Sequence, residues 1–256
     1  MYYGRDFLFV PTLRPRYRTV HTTVLGAVAS HHSSRPMTPL HSVESPGATQ
    51  LRELFGGAIT CGLPAGWKDL SDVRPIPDNQ ECFQDSFVDD HPAMLVVEIL
   101  ERQEEIGDQE VASFFFNELA ERNDALQAQN DIRFRTLDES EPGSATPTAL
   151  LGDASIVAGR NAVHLRAGCG YQKIAMGRDY DNAGNSRREM QEIKCIRVDL
   201  CVLRLPAQET DLLVTISRPV DVANLNEASL DTPSADSAII SGVISTFRII
   251  DWGLFG

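Results

Sequence analysis

No stretch of this chain approaches the roughly 20 consecutive apolar residues that a membrane-spanning helix requires. A GxxxxGKS/T phosphate loop is missing, so the chain is not itself a P-loop nucleotide hydrolase. Gly168-Cys169-Gly170 lacks the third glycine of a dinucleotide fingerprint, and no GxSxG nucleophile elbow occurs. There is no N-x-S/T glycan acceptor. The five cysteines (Cys61, Cys82, Cys169, Cys195 and Cys201) form no CxxC. Cys195 and Cys201 share one predicted strand, roughly 20 Å apart and beyond disulfide reach. Reduced thiols in a reducing compartment are the simplest reading. Histidine is scarce beyond residue 50, where only His91 and His164 remain, and without cysteines at ligand spacing they make no standard zinc site. Asp179-Tyr180-Asp181-Asn182-Ala183-Gly184 begins like a calcium loop. It fails where Ala183 replaces an oxygen ligand and Met190 takes the place of the bidentate glutamate. No metal and no cofactor is expected.

Positive charge is also short, and unevenly spread. Residues 1–50 hold five arginines against Asp6 and Glu44, a balance of +3, so the total of −13 leaves −16 on residues 51–256. An acidic body of that size lacks the basic clusters of a sequence-independent nucleic-acid binder and favours a basic partner. The first fifty residues are rich in Arg, His, Ser, Thr and Pro and nearly free of acids, which is the composition of a mitochondrial presequence. Pro11, Pro15, Pro36, Pro39 and Pro46 break that segment too often for a long amphipathic helix. Residues 1–50 read as a disordered or artefactual extension, with Met37 as an alternative start, and residues 51–256 as a single α+β domain.

Leu54-Phe55-Gly56-Gly57 opens that domain, Ala58–Leu63 reads as a strand, and Asp69–Asp72 as a turn or short helix. Glu81–Phe87 and Ala93–Leu100 (AMLVVEIL) are further strands. Asp108 is a plausible helix N-cap, and Ala112, Phe115, Phe116 and Leu119 recur at helical spacing behind it. Strands are predicted around Ile132–Thr136, as a pair at Ile156–Leu165 and Gln172–Met176, and at Asp211–Ser217. Residues 138–149 and 177–190 are a loop and a hairpin tip. Glu192–Leu205 is apolar on both faces, so it belongs at the centre of a sheet covered on both sides. Thr232-Pro233 reads as a cap and first helical residue, followed by a stripe at Ile239, Ile240, Val243, Ile244, Phe247 and Ile250. Strands interrupted by two separate helices, without a βαβ rhythm, predict an α+β fold: a twisted antiparallel sheet with helices on both faces, in three layers.

One run invites a functional reading. In Arg74-Pro75-Ile76-Pro77-Asp78-Asn79-Gln80-Glu81, Pro77 at the second position and Asp78 after it suit a type I turn. The carboxylates Asp78 and Glu81 have three readings on spacing alone. They are ordinary turn chemistry, an exposed acidic hook for a partner, or a general acid and base with no nucleophile, metal ligand or histidine beside them.

The segments LFGGAI from Leu54, Leu63-Pro64 with Trp67, Asp69 and Ser71, and RPIPDNQE from Arg74 are similar to the opening of the Ran guanine-nucleotide release factor (Mog-one type) family. VEILE from Val97, LRLPAQETDLLVTI from Leu203, and the ending DWGLFG resemble its later strands and the C-terminus of fungal members. The likeness runs in order through residues 54–256. It departs at the N-terminal extension, at Cys82 and in the longer stretches 138–152 and 177–190. The resemblance implies a sheet between helices akin to the PsbP proteins. It also implies binding to the small GTPase Ran, promotion of guanine-nucleotide release, and support of nuclear import in nucleus and cytoplasm. Asp78 and Glu81 then become the partner-binding acids, with Asn79, Gln80 and Arg74 shaping the loop and Trp67 and Phe83 supporting the core. On this reading the protein is a monomer without an active site of its own, and neither nucleic acid nor membrane is a partner. Two rivals stand: a PsbP-like organellar structural module, and a hydrolase using the paired carboxylates in a water-excluding pocket.

Overall fold

The computed structural model describes residues 49–86, 92–125, 133–137, 164–176, 192–221 and 234–256. Seven strands form one antiparallel sheet in the order β3-β4-β5-β9-β8-β7-β6. They are β3 (Trp67–Asp69), β4 (Gln80–Asp85), β5 (Met94–Glu101), β6 (Arg133–Leu137), β7 (His164–Met176), β8 (Glu192–Leu205) and β9 (Thr210–Val220). A smaller antiparallel sheet has β2 (Ile59–Pro64) between β1 (Thr49–Leu54) and β10 (Arg248–Ile249). β1 therefore begins at Thr49, two residues inside the segment set aside from the sequence.

Strand β8 lies between β9 and β7, and its alternation supplies both cores. Val198, Leu200 and Val202 pack with Cys82, Met94 and Val96 under helix α1 (Val111–Arg122). Cys201, Leu203 and Leu205 face the other way, toward Phe83, Val97 and Val214, the small sheet's Leu54, Ile59 and Leu63, and helix α2 (Ala235–Thr246). The expected three layers are present: α1 on one face, and α2 with a three-stranded sheet on the other. Trp67 and Phe83 are both core residues, at 3% and 2% exposure. All five cysteines are buried.

Several local expectations shift. Glu110, not Asp108, stands at the α1 N-cap and makes no side-chain cap bond. Asp108 is engaged elsewhere, its Oδ1 accepting from Arg204 Nη1 at 2.8 Å. Thr232-Pro233 lie outside the described residues, and Ser234 caps α2 by accepting the Ser237 N–H at 2.9 Å. α2 ends at Thr246, because Phe247 is extended and Arg248–Ile249 turn into a strand against β2. Ile250 is therefore off the helix and 63% exposed rather than part of its buried stripe. The strand expected at Gln172–Met176 begins earlier, at His164, so that Gly168, Cys169 and Gly170 are ordinary ladder residues of a long β7, opposite Leu200, Asp199 and Val198. Residues 156–163 and the calcium-like run 179–184 lie outside the described residues.

Candidate functional site at the Asp78 turn

The Gln80 N–H donates to the Pro77 carbonyl at 2.9 Å, so the β-turn spans Pro77–Gln80 with Asp78 and Asn79 at its corner. The turn expected from the sequence placed Pro77 second; in the fold Pro77 comes first. Asn79 is the reason. Its carbonyl accepts the Ile99 N–H at 2.9 Å, and its Nδ2 donates to the Ile99 carbonyl at 3.1 Å. Asn79 is thereby tied to the end of β5, and the chain must bend just before it.

Asp78 is exposed and has no hydrogen bond among the described residues. Gln80 turns the other way, into the α1 side of the sheet, where it is 7% exposed and its Nε2 donates to Glu98 Oε1 at 2.8 Å. Asn79 Nδ2 reaches the same oxygen at 3.5 Å. Glu98 is 3% exposed. Burial pushes its carboxyl up to about 7, against the opposing pull of the Gln80 amide, the Arg122 guanidinium and the Asn79 amide.

Glu81 does not stand beside Asp78 in open water. It lies on β4 and is half-buried, and its Oε1 accepts the Phe55 N–H at 2.5 Å. Burial raises its pKa; the Phe55 N–H opposes this, and the Asp69 carboxylate adds to it. Its other oxygen has no hydrogen bond among the described residues. The corner that grips Glu81 is a left-handed run, with φ of 50° at Phe55, 66° at Gly56 and 93° at Gly57. The two glycines adopt this without a side-chain clash, whereas Phe55 is strained there and is held by its bond to Glu81 and its packing on the core.

Arg74 lies beneath the turn rather than at its tip. Its N–H donates to the Leu70 carbonyl at 3.0 Å, and its guanidinium lies close enough to the Cys82 thiol to favour the thiolate. Burial pushes that thiol up to about 11, with Arg74 opposing. Of the five residues nominated from sequence, Asn79 and Gln80 converge on Glu98, Asp78 stands outside, Glu81 joins the Phe55 corner, and Arg74 braces from below. Glu98 and Phe55 were not nominated. The available signal for Glu98 was a lone acid in an otherwise apolar strand; for Phe55 there was none beyond its place in LFGG.

The same end of the sheet is acidic more widely. Arg102 N–H donates to the Glu209 carbonyl at 2.8 Å, so the segment after β5 lies against the β8–β9 turn. Buried Arg204 pins that segment by donating to the Gln103 and Ile106 carbonyls at 2.5 and 2.7 Å. Glu101, Glu104, Glu105, Glu110 and Glu209 are exposed there. An open cleft of about 420 Å³ lies between β1 and β3, lined by Arg52, Trp67, Lys68, Asp69, Asp72 and Val73 among others; neither Asp78 nor Glu81 lines it. Asp78 thus stands in water, outside the dry pocket that the hydrolase reading requires. Among the described residues no three His, Cys, Asp or Glu gather as a metal site, and no helix is long and apolar enough to cross a membrane.

These features define an α+β domain that carries an acidic turn at one end of a long antiparallel sheet. Residues 52–219 match the family described as Ran-interacting Mog1 protein, and the chain belongs to that family. The Ran guanine nucleotide release factor of Danio rerio is 27% identical over 208 residues, covering 80% of this chain and 99% of the relative. The Homo sapiens protein of that name is 31% identical over 169 residues, covering 65% of this chain and 74% of the relative. The nuclear import protein mog1 of Schizosaccharomyces pombe is 27% identical over 198 residues, covering 77% and 91%. Among solved structures, the Saccharomyces cerevisiae Ran-binding protein Mog1p shares the fold with a TM-score of 0.52 at 19% identity, covering 83% of this chain and all of that one. Cyanobacterial PsbP from Synechocystis is a looser neighbour, with a TM-score of 0.36 at 13% identity.

Proposed function

We propose that this protein binds the small GTPase Ran, promotes release of its guanine nucleotide and thereby supports nuclear protein import, working as a monomer in nucleus and cytoplasm without an active site of its own. Neither nucleic acid nor membrane is a partner on this reading. Partner and activity come from the names that the relatives carry. The observation that carries the mode of action is the exposed Asp78 carboxylate, at the corner of a turn whose following residues are tied down.

Asp78 is the outer contact and the unbonded oxygen of Glu81 the inner one, while Asn79, Gln80 and Arg74 set the shape of the loop. A GTPase grips its nucleotide with a lysine, backbone amides and Mg²⁺. A carboxylate brought to that neighbourhood competes for the cationic groups or stabilises a displaced switch segment. Linkage then fixes the preference: a factor that weakens nucleotide binding is itself bound less tightly when nucleotide is present, by the same ratio. The nucleotide-poor form is therefore the one held most tightly.

Release of a fluorescent guanine nucleotide from Ran tests this with wild type, Asp78→Lys and Glu81→Gln. The expected result is release at least about tenfold slower for Asp78→Lys, equivalent to roughly 1.4 kcal/mol, and an association rate that falls steeply with salt. Unchanged release by folded variants would remove the hook from the mechanism.

A further inference from the structure

We propose that Glu98 is a positioning residue for the turn that presents Asp78, an inference that rests on the partner-binding reading above. Glu98 continues a run, Met94 to Val97, whose side chains are all buried and apolar. A carboxylate in such a strand is unfavourable unless donors reach it. The donors that do are the side-chain amides of Gln80 at 2.8 Å and Asn79 at 3.5 Å, both on its Oε1. These are the two residues directly after Asp78. The backbone ladder agrees, with Gln80 opposite Glu98 and the Ile99 N–H on the Asn79 carbonyl. One buried oxygen therefore anchors the chain leaving the turn and sets the direction in which the free corner residue points.

Apart from the Arg122 guanidinium, whose charge favours the carboxylate, that face is filled with apolar atoms of Cys82, Met94 and Val96. Glu98→Leu keeps apolar bulk and leaves the backbone ladder intact, but it takes away the shared acceptor. Gln80, 7% exposed, then has a buried amide without its partner and seeks another, and the corner loses its fixed orientation. Glu98→Gln keeps an oxygen at the same place and should preserve most of the positioning.

The experiment is a double-mutant cycle on nucleotide release from Ran, using Asp78→Ala, Glu98→Leu and the pair, with Glu98→Gln as the conservative control and a cooperative thermal transition required of each protein. Glu98→Leu is expected to slow release about tenfold, Glu98→Gln less than about threefold. The loss on Asp78→Ala should shrink markedly in the Leu background, because a misdirected carboxylate has less to lose. Losses that simply multiply, or a Glu98→Leu protein that releases nucleotide as wild type does, would overturn the inference. Should Glu98→Leu fail to fold, the cycle is run with Glu98→Gln, where full independence from Asp78→Ala at any measurable loss overturns it equally. If Asp78→Ala alone has no effect, the partner-binding reading fails, and the positioning role falls with it.

Discussion

The buried carboxyl of Glu98 makes a quantitative prediction about stability. Its ordinary value is 4.5, and burial raises it to about 7 in the folded chain. In the unfolded chain it ionises near its ordinary value, so between these two limits the folded state holds a proton that the unfolded state has released. Stability from this group is therefore fullest below the lower limit and is lost as pH rises through the upper one. At 1.36 kcal/mol per tenfold change in proton affinity the loss amounts to about 3 kcal/mol by pH 8. The groups acting on Glu98 are the neutral amides of Gln80 and Asn79 and the Arg122 guanidinium from α1. Glu98→Gln removes the titration, while other carboxylates, including the burial-raised Glu81 and Asp211, contribute equally to both proteins. Urea unfolding followed by tryptophan fluorescence, with Trp67 3% exposed in the native state, reads the difference. Near pH 5 the two proteins should agree within about 1 kcal/mol. By pH 8 the Gln protein should be more stable by about 3 kcal/mol, a midpoint shift of about 1.5 M urea for a slope of roughly 2 kcal/mol/M. A difference that stays flat from pH 5 to 8, or that grows in the opposite sense, would refute the claim that burial is what disfavours this charge.

Two further outcomes follow from the packing. At Gly62 an added Cβ would lie 2.6 Å from Thr49 Cγ2 and 3.0 Å from Thr246 Oγ1, so Gly62→Val should destabilise by about 1–3 kcal/mol in thermal unfolding, with partial recovery in a Thr49→Ala background. The thiols of Cys61 and Cys82 are pushed to about 12 and about 11, mainly by burial, and Cys201 is raised by burial as well, so Ellman's reagent at pH 8 should find no fast thiol in the native protein and all of them in urea; a rapidly reacting native cysteine would contradict this.

Much of the fold was legible where spacing alone decides it. Ala112, Phe115, Phe116 and Leu119 repeat at three and four residues and are buried as expected, and the two-sided apolar pattern of Glu192–Leu205 correctly placed β8 inside the sheet. What misled was chemistry with two valid uses. Asp108 is a good cap residue by type, yet a buried arginine 96 positions away recruits it. Arg166–Tyr171 falls between two predicted strands, yet a long ladder partner on β8 holds it extended. The small sheet was illegible because β10 is only two residues long and joins β2 from the far end of the chain, a pairing that no local pattern announces. At the site, proline, aspartate and asparagine gave the turn away. The residue that receives its amides, Glu98, lies 18 to 19 positions further on, and the sequence carries no marker of that distance.

The placement of Glu81 shows how the two ends of the LFGG…PDNQE stretch become one object. Glu81 belongs to the large sheet and Phe55 to the corner of the small one, and a single 2.5 Å bond across 26 residues closes the seam between them. The Asp78 turn is thus held from both faces of β4: Gln80 ties it to β5 under α1, and Glu81 ties it to the left-handed corner opposite. An alternating strand sends successive side chains to opposite faces, so Gln80 and Glu81 can do this only because they are adjacent. A residue inserted between Glu81 and Cys82, with the rest of β4 held in register, would shift both by one place, sending the glutamate under α1 and the glutamine to the seam. The two acids are therefore linked through Asn79 and the first residue of β4. One carboxylate faces solvent, and the other locks the two sheets on which the first is mounted.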